Sequence, residues 1–463
     1  MCGFSGEVTF DGDRASVTRV QRMTDALASR GPDGSGLFAQ GRAALGHRRL
    51  KILDLSERAQ QPMVDAARGL ALVFNGCIYN FRELGDELRR RGHRLTSTGD
   101  TEVVLRAYAE WGPACVERLS GMFAFALYER ESGRLVLARD RLGVKPLYLS
   151  RESGRLRFAS SLPALLAGGD IDTGIDAVAL HHYMTFHSVV PPPRTILRGV
   201  EKLPAATVAV IERDGARNEQ QYWNLSFSRQ RGDSSVTAAE WRARVHDSLR
   251  RAVERRMLAD VPVGVLLSGG VDSSLVVGLL AEAGQTRLAT FSIGFEAAHG
   301  ERGDEFEYSD LVARAFSTEH HKLEIRSARL LEALPRAIAA MSEPMVSYDN
   351  VGFYLLAEEV SRHVKVVQSG QGADEIFAGY HWYPPLADSS APADDYARVF
   401  FDRDHLEYAD AVAPEHVAAD HSRAFVAEQF AAPGAERAVD KALRLDTTVM
   451  LIDDPVKRVD NMT

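Results

Sequence analysis

Residues 263–274, Val-Gly-Val-Leu-Leu-Ser-Gly-Gly-Val-Asp-Ser-Ser, restrict the fold more than any other stretch of the chain. Five apolar or small residues, 263–267, follow the turn-forming Pro262 and predict a buried strand. Ser268, Gly269 and Gly270 then bend the backbone, and Asp272 opens an amphipathic helix. Glycines let the main chain approach an anion closely. The free N–H groups of the first helical turn point at that anion, and the hydroxyls of Ser268, Ser273 and Ser274 add hydrogen bonds. A phosphate fits such a turn, with Asp272 placed to hold its Mg2+. An ordinary strand-to-helix turn capped by serines is the structural alternative.

Around this element the pattern is that of a parallel sheet. From Thr237 onward, helical stretches alternate with apolar strand candidates at 263–267, 289–295, 320–325 and 364–369. In doubly wound sheets ligands bind beyond the carboxyl ends of the strands, where the Ser-Gly-Gly turn lies. Residues 1–205 read differently, as short strands with a few helices. Apolar runs at 71–74, 122–128 and 135–138 are broken by Gly, Asp and Asn turns, and 81–91 and 100–111 have helical spacing, so a layered α+β domain is expected. The domains are therefore drawn at 1–210 and 237–463, with a linker at 211–236 that carries the Asp214-Gly215 turn and a polar run. Residues 386–440 are assigned only as loops and helices.

Composition narrows the setting. At 463 residues the chain is too long for one core. It has no apolar run near the length of a membrane span, and its first residues lack a basic segment and an apolar core of signal-peptide length, so a cytoplasmic protein without membrane partners is expected. Three cysteines (Cys2, Cys77, Cys115) make neither a disulfide framework nor a zinc spacing. A net charge of −9 disfavours nucleic-acid binding. The arginines of 250–256 read as a solvated face on a helix whose Trp241, Val245, Leu249 and Val253 turn inward.

Cys2 follows an initiator Met that its small side chain allows to be removed, which would join a thiol and a free α-amino group in one residue. An α-amino group titrates near ~8 and a thiol near ~8.5, so nucleophile and base both work close to neutrality. A buried small residue is the alternative for Cys2 alone. Its company is 30–34 (Arg-Gly-Pro-Asp-Gly), 46–50 (Gly-His-Arg-Arg-Leu), 75–80 (Asn-Gly-Cys-Ile-Tyr-Asn), 99–102 (Gly-Asp-Thr-Glu) and 138–148 (Ala-Arg-Asp-Arg-Leu-Gly-Val-Lys-Pro-Leu-Tyr).

In this order the motifs resemble the N-terminal-nucleophile glutaminase domain of class II amidotransferases. The resemblance implies an αββα Ntn-hydrolase fold in which Cys2 attacks the side-chain amide of glutamine and water hydrolyses the thioester. Asn75 and the Gly76 N–H would form the oxyanion hole. Arg49 would hold the glutamine α-carboxylate and Asp100 its α-ammonium. Cys77 departs from the pattern, because many asparagine synthetases carry Glu there to share the ammonium contact. Asn75-Gly76 also reads as a hairpin turn and Arg49 as a surface charge.

The string at 263–274 lacks the P-loop lysine and resembles the pyrophosphate (PP) loop of ATP pyrophosphatases. Glutaminase first and PP-loop second is the arrangement of glutamine-hydrolysing asparagine synthetases. By that resemblance ATP is bound by Leu267, Ser268, Gly269, Gly270, Asp272, Ser273, Ser274, Ile293, Ser369 and Gly370, and Mg2+ by Asp272 and Asp374. A substrate carboxylate would be adenylated, and ammonia delivered inside the protein would give an amide and AMP.

Gln371 stands where most of the family has a Glu assigned to the acyl-adenylate step, which puts aspartate in doubt as acceptor. The strings at 75–80, 369–375 and 380–385 look most like the N-acetylglutaminylglutamine amidotransferase subgroup, whose acceptor is an acetylated dipeptide. The aromatic run 380–383 would floor a pocket for it, or else pack in a core. Residues 454–463 resemble the segment that precedes further synthetase helices, so a chain truncated at its carboxyl end is expected. Partners are expected to be small molecules (glutamine, ATP, a carboxylic acid), with a homodimer one option for assembly. A fragment with glutaminase activity alone is one alternative, and two further readings are disfavoured. A cyclase of the β-lactam synthetase type has lost the nucleophile that Cys2 retains here, and a non-catalytic scaffold would not need Cys2, Asn75, Asp272 and Asp374 together.

Overall fold

The computed structural model describes residues 1–463 apart from 153, 297–305, 346 and 348. Two compact units emerge: residues 1–227 with 341–346 and 379–461, and residues 228–340 with 347–378 and 462–463.

The first unit is built on strands β1 (Gly3–Thr9), β2 (Gly34–Gln40), β3 (Ala43–Arg49), β4 (Met63–Asp65), β5 (Leu70–Ile78), β6 (Gly121–Glu129), β7 (Leu135–Arg139), β8 (Tyr148–Glu152), β9 (Arg155–Ala159), β10 (Glu201–Lys202), β11 (Thr207–Ile211) and β12 (Arg217–Gln221). They form two six-stranded sheets, ordered β10-β8-β9-β1-β3-β2 and β12-β11-β7-β6-β5-β4. Strand periodicity explains the layering. Alternate residues Phe4 and Val8, Ala43 and Leu45, Ala71 and Val73, and Ala124 and Ala126 fill one buried core shared by both sheets. The opposite face of the first sheet is covered by the helix Val17–Asp25, where Ser5 Oγ meets Thr24 Oγ1 at 2.9 Å. Helices Phe81–Arg90 and Asp100–Trp111 pack together, and the second of them covers β4 and β5. The result is the αββα sandwich expected from the motifs.

In the second unit β13 (Val263–Leu266), β14 (Ala289–Phe295), β15 (Glu319–Ile325) and β16 (Val366–Gln368) pair in parallel in the order β15-β14-β13-β16. The chain steps outward from β13 to β15 and then returns to the other side of β13. That reversal is a topological switch point, and it lies between β13 and β16.

Two boundaries and one helix face differ from the expectation. Strand β12 occupies part of the expected linker at 211–236, because Arg217–Gln221 pairs with Thr207–Ile211. Residues 379–461 cluster with the first unit rather than with 237–378. Buried charges tie them there: Lys202 Nζ lies 3.1 Å from Glu343 Oε2 and 2.8 Å from Asp453 Oδ1, and Lys457 Nζ 3.4 Å from Glu343 Oε2. Desolvated charges need such partners, and no hydrophobic pattern reveals them. On the helix Ala238–Arg255 Val253 is buried, but Trp241 and Val245 are exposed, so only the last turns of its apolar stripe face a core. Its arginines pair along the helix with Asp247 and Glu254, as a solvated face should.

Candidate functional site

The alternation that fills the sandwich also builds its rim. Cys2 continues the inward parity of Phe4, Arg49 that of Ala43 and Leu45, and Asn75 that of Ala71 and Val73. Register puts Gly3 opposite Arg48, and His47 Nε2 joins Phe74 O at 3.1 Å, so these strand ends meet at one edge. His47 is fully buried, which drives its pKa down to about 3 and makes it a neutral structural group rather than a base.

The Cys2 sulfur accepts the Leu50 N–H at 3.3 Å. Burial raises its pKa, while the Leu50 N–H, the terminal ammonium and Arg49 act in the opposite direction. The α-amino group belongs to Met1 in this chain. Burial, with Arg30 next in strength and Lys145 also contributing, lowers it to about 5. Arg30 Nε donates to Cys2 O at 3.2 Å, and its Nη1 lies 2.7 Å from Asp460 Oδ2. Lys145 Nζ is 3.5 Å from Asp460 Oδ1. Arg30, Lys145 and Asp460 all lie in stretches whose motifs are legible in the sequence, yet nothing there indicated that they surround the amino terminus.

Arg49 is buried, not a surface charge. Its guanidinium donates to Ser56 O at 2.9 Å, to Leu53 O at 3.4 Å and to Asp54 O. Asp54 shapes that loop by accepting Ser56 N at 3.0 Å and Thr98 N at 2.8 Å. Sequence reasoning missed Asp54; the Asp-x-Ser spacing at 54–56, an Asx-turn signature, was the available signal.

Asp100 begins its helix and accepts the Ile78 N–H at 3.0 Å, which ties it to the end of β5. Burial raises its pKa to about 6 against the pull of that N–H, two further main-chain donors and Arg49. Cys2, Arg49 and Asp100 are within electrostatic reach of one another.

Asn75 and Gly76 are not a hairpin turn. They lie inside β5 opposite Ala124 and Phe123. Gly76 is required because a Cβ there would come within 2.2 Å of Met122 O. Asn75 is 1% exposed, and its Nδ2 has no partner among the described residues. A buried amide donor left open is costly unless something accepts from it. Cys77 follows, half-buried, opposite Met122.

The motif at 138–148 is largely architectural. Asp140 gathers the N–H groups of Phe123, Leu142, Val144 and Lys145 within 3.2 Å, and Arg139 donates to the carbonyls of Gly143, Lys145 and Leu203.

In the second unit both loops at the switch point carry predicted residues. After β13, Gly269 adopts φ +92°, and a Cβ on it would lie 2.5 Å from Tyr308 Cβ. Ser268 and Ser273 hold the turn through an Oγ–Oγ contact of 3.1 Å, and Ser274 Oγ donates to Gly270 O at 2.7 Å. No side chain caps the helix Val271–Glu282, so its first N–H groups stay available to an anion. Gly370 abuts this turn, where a Cβ would come within 2.9 Å of Asp272 Cβ; Ser369 precedes it.

Asp272 and Asp374 lie on the two loops and within electrostatic reach of each other. Burial raises the Asp272 pKa, and the Asp374 charge adds to it. Among the described residues no ion pair is made by either carboxylate, and two such carboxylates are a donor set that fits Mg2+. Leu267 and Ile293 sit differently. Leu267 is a core side chain whose N–H donates to Phe291 O at 2.8 Å and whose carbonyl accepts from Ser292 Oγ. Ile293 is half-buried and packs against the hydrophobic clusters beside β14. Gln371 is exposed.

The aromatic run 380–383 belongs to the other unit. Tyr383 is buried with its hydroxyl on Asp446, whereas Tyr380 and Trp382 are half-buried and stack at 4.2 Å, and His381 is exposed. A buried carboxylate needs such a hydroxyl donor, so Tyr383 packs as core.

Comparison with known proteins divides the chain close to where the sequence does, not where the compact units do. Residues 1–223 match the glutamine amidotransferase domain family, and residues 244–463 match the asparagine synthase family. The chain is 34% identical over 397 residues to asparagine synthetase [glutamine-hydrolyzing] 3 of Bacillus subtilis, covering 83% of this chain and 64% of that protein. It thus spans slightly less than two thirds of that relative's length. Asparagine synthetase [glutamine-hydrolyzing] 1 of the same organism is 33% identical over 83% of this chain and 59% of its own length. A Methanocaldococcus jannaschii protein named "Putative asparagine synthetase [glutamine-hydrolyzing] 2" is 35% identical over 82% of this chain and 76% of its own length. With both halves matched in order and this degree of identity, the chain belongs to the family of glutamine-hydrolysing asparagine synthetases.

Proposed function

We propose that this protein is an ATP-dependent amidotransferase that hydrolyses glutamine and uses the ammonia to convert a small carboxylic acid into its amide. The observation that carries the reading is the pairing of Asp272 with Asp374 at the switch point, beside a helix N-terminus that no side chain caps.

In the glutaminase reaction Met1 is removed and the exposed Cys2 amine takes the thiol proton. The sulfur attacks the glutamine amide carbon, and the Asn75 amide and Gly76 N–H donate to the oxyanion. Ammonia leaves, and water releases glutamate. Arg49 and Asp100 hold the two ends of the amino acid, with Arg49 fixed by the 53–56 carbonyls.

In the synthetase reaction the 268–274 turn with Ser369 and Gly370 holds the ATP phosphates. Mg2+, held by Asp272 and Asp374, would screen the triphosphate charge. The substrate carboxylate attacks the α-phosphorus, pyrophosphate leaves, and ammonia displaces AMP from the acyl group.

The acceptor favoured is the terminal carboxylate of N-acetylglutaminylglutamine. Gln371, at the position where the family resemblance expects Glu, and the strings at 75–80, 369–375 and 380–385 support a departure from aspartate. Aspartate remains the second reading, favoured by the names of the relatives. AMP and pyrophosphate release with Mg-ATP and glutamine separates them: dipeptide-dependent AMP supports the first, and aspartate-dependent AMP replaces it with the second. We also infer a cytoplasmic setting. Among the described residues no helix is long and apolar enough to cross a membrane.

A further inference from the structure

Neither reaction uses a histidine cluster in the first unit. Helix Ala177–Thr185 carries His181, which is 1% exposed, and its Nε2 faces His405 Nδ1 at 3.0 Å and Asp420 Oδ1 at 3.9 Å. The ligand atoms of these three residues all lie within 4.8 Å of one another, although they are up to 239 positions apart in the chain. We propose that His181, His405 and Asp420 bind one divalent transition-metal ion of the zinc class, with solvent as the fourth ligand, and that the ion fastens helix Ala177–Thr185 to helices His405–Ala411 and His421–Ala431.

The distances suit such an ion. Zinc holds imidazole nitrogen at about 2.0–2.1 Å, which in a tetrahedron sets ligands about 3.3 Å apart. The observed 3.0 and 3.9 Å lie either side of that value, and every pair lies within 4.8 Å, so a rotamer adjustment of the partly exposed His405 and Asp420 closes the site. Two imidazoles with one carboxylate select zinc-like metals over Mg2+ or Ca2+, which take oxygen ligands.

The surroundings also accommodate the ligand form. His181 Nδ1 lies 2.7 Å from Ser422 Oγ, and His182 Nδ1 lies 3.1 Å from the same atom, which is fully buried. One hydroxyl has one proton. If His181 Nδ1–H donates to Ser422 and Ser422 donates to His182, the lone pair of His181 is left on Nε2, toward His405 and Asp420. That is the outer hydrogen bond a metal-bound histidine characteristically makes. Asp420 also accepts Arg423 N at 3.0 Å as the helix cap, which orients its carboxylate. A metal-free hydrogen bond between His181 and His405 is the competing arrangement.

The test uses the untagged full chain, stripped with chelator and titrated with Co2+ in excess Mg2+. One equivalent of Co2+ should produce tetrahedral d–d absorption without a thiolate charge-transfer band. Zn2+ should abolish that absorption and raise the melting temperature. His405→Ala, and Asp420→Asn, which keeps a helix-capping side chain, should each lose the absorption and the Zn2+-dependent shift while remaining folded by circular dichroism. Absence of the bands in the folded parent protein would overturn the site. So would a thiolate band, or bands unchanged in the Asp420→Asn variant.

Discussion

Replacing Asn75 with Ala separates a catalytic donor from a structural one. Its Nδ2 is buried without a partner among the described residues, so its removal takes away no hydrogen bond seen in the fold. An unsatisfied buried donor costs about 1–3 kcal/mol, and loss of that penalty offsets the packing forfeited by truncation. Net stability should therefore change by no more than about 1 kcal/mol. An oxyanion-hole donor is worth about 3–4 kcal/mol in the transition state, a 10²–10³-fold fall in kcat. Glutamate release from glutamine, followed with a thermal melt, reads both quantities. A KM near the parent value is expected, because the donor acts on the oxyanion. Asn75→Asp, similar in shape but without the donor, should fall at least as far. Turnover within about threefold of the parent would refute the reasoning, as would activity loss that merely tracks a large fall in melting temperature.

Other outcomes follow from the same geometry. Arg49→Lys loses the fork that grips the carbonyls of Leu53, Asp54 and Ser56, so KM for glutamine should rise more than tenfold with a smaller change in kcat. Asp100 holds a proton up to about pH 6 that the unfolded chain releases near pH 4, so native stability should fall as pH rises between those values, by an amount on the order of 3 kcal/mol. Asp100→Asn should flatten that segment of the stability profile and abolish glutamine binding at neutral pH, both readable by melting with and without glutamine. Asp272→Asn should remove ATP-dependent AMP formation while leaving glutamate release from glutamine intact. Retention of Met1, checked by intact mass, should correlate with loss of glutamate release.

Much of this was legible because local chemistry and tertiary placement agree. The strand, glycine turn and helix at 263–282 follow from apolar run, Gly269 and Asp272, and the αββα layering from period-two alternation. Asn75-Gly76 looked like a turn because Asn-Gly favours one. The structure keeps it in β5, where the facing strand leaves no room for a Cβ at Gly76. Long-range charge pairing was not legible. Lys202 with Glu343 and Asp453, and Arg30 with Asp460, join residues more than 140 positions apart and carry no periodic signal. The same pairing draws residues 379–461 into the first unit, against a boundary set by composition. Tyr383 reads equally well as pocket or core, and only its contact with buried Asp446 decides the matter.

The fate of the amide nitrogen of glutamine tests the central claim most directly. With glutamine labelled by 15N at its side-chain amide, Mg-ATP and N-acetylglutaminylglutamine, the label should appear in a new amide of the acceptor in equal amount to AMP and pyrophosphate. Label recovered only as free ammonia, with glutamate formed and no AMP from the dipeptide or from aspartate, would contradict the claim and leave a glutaminase.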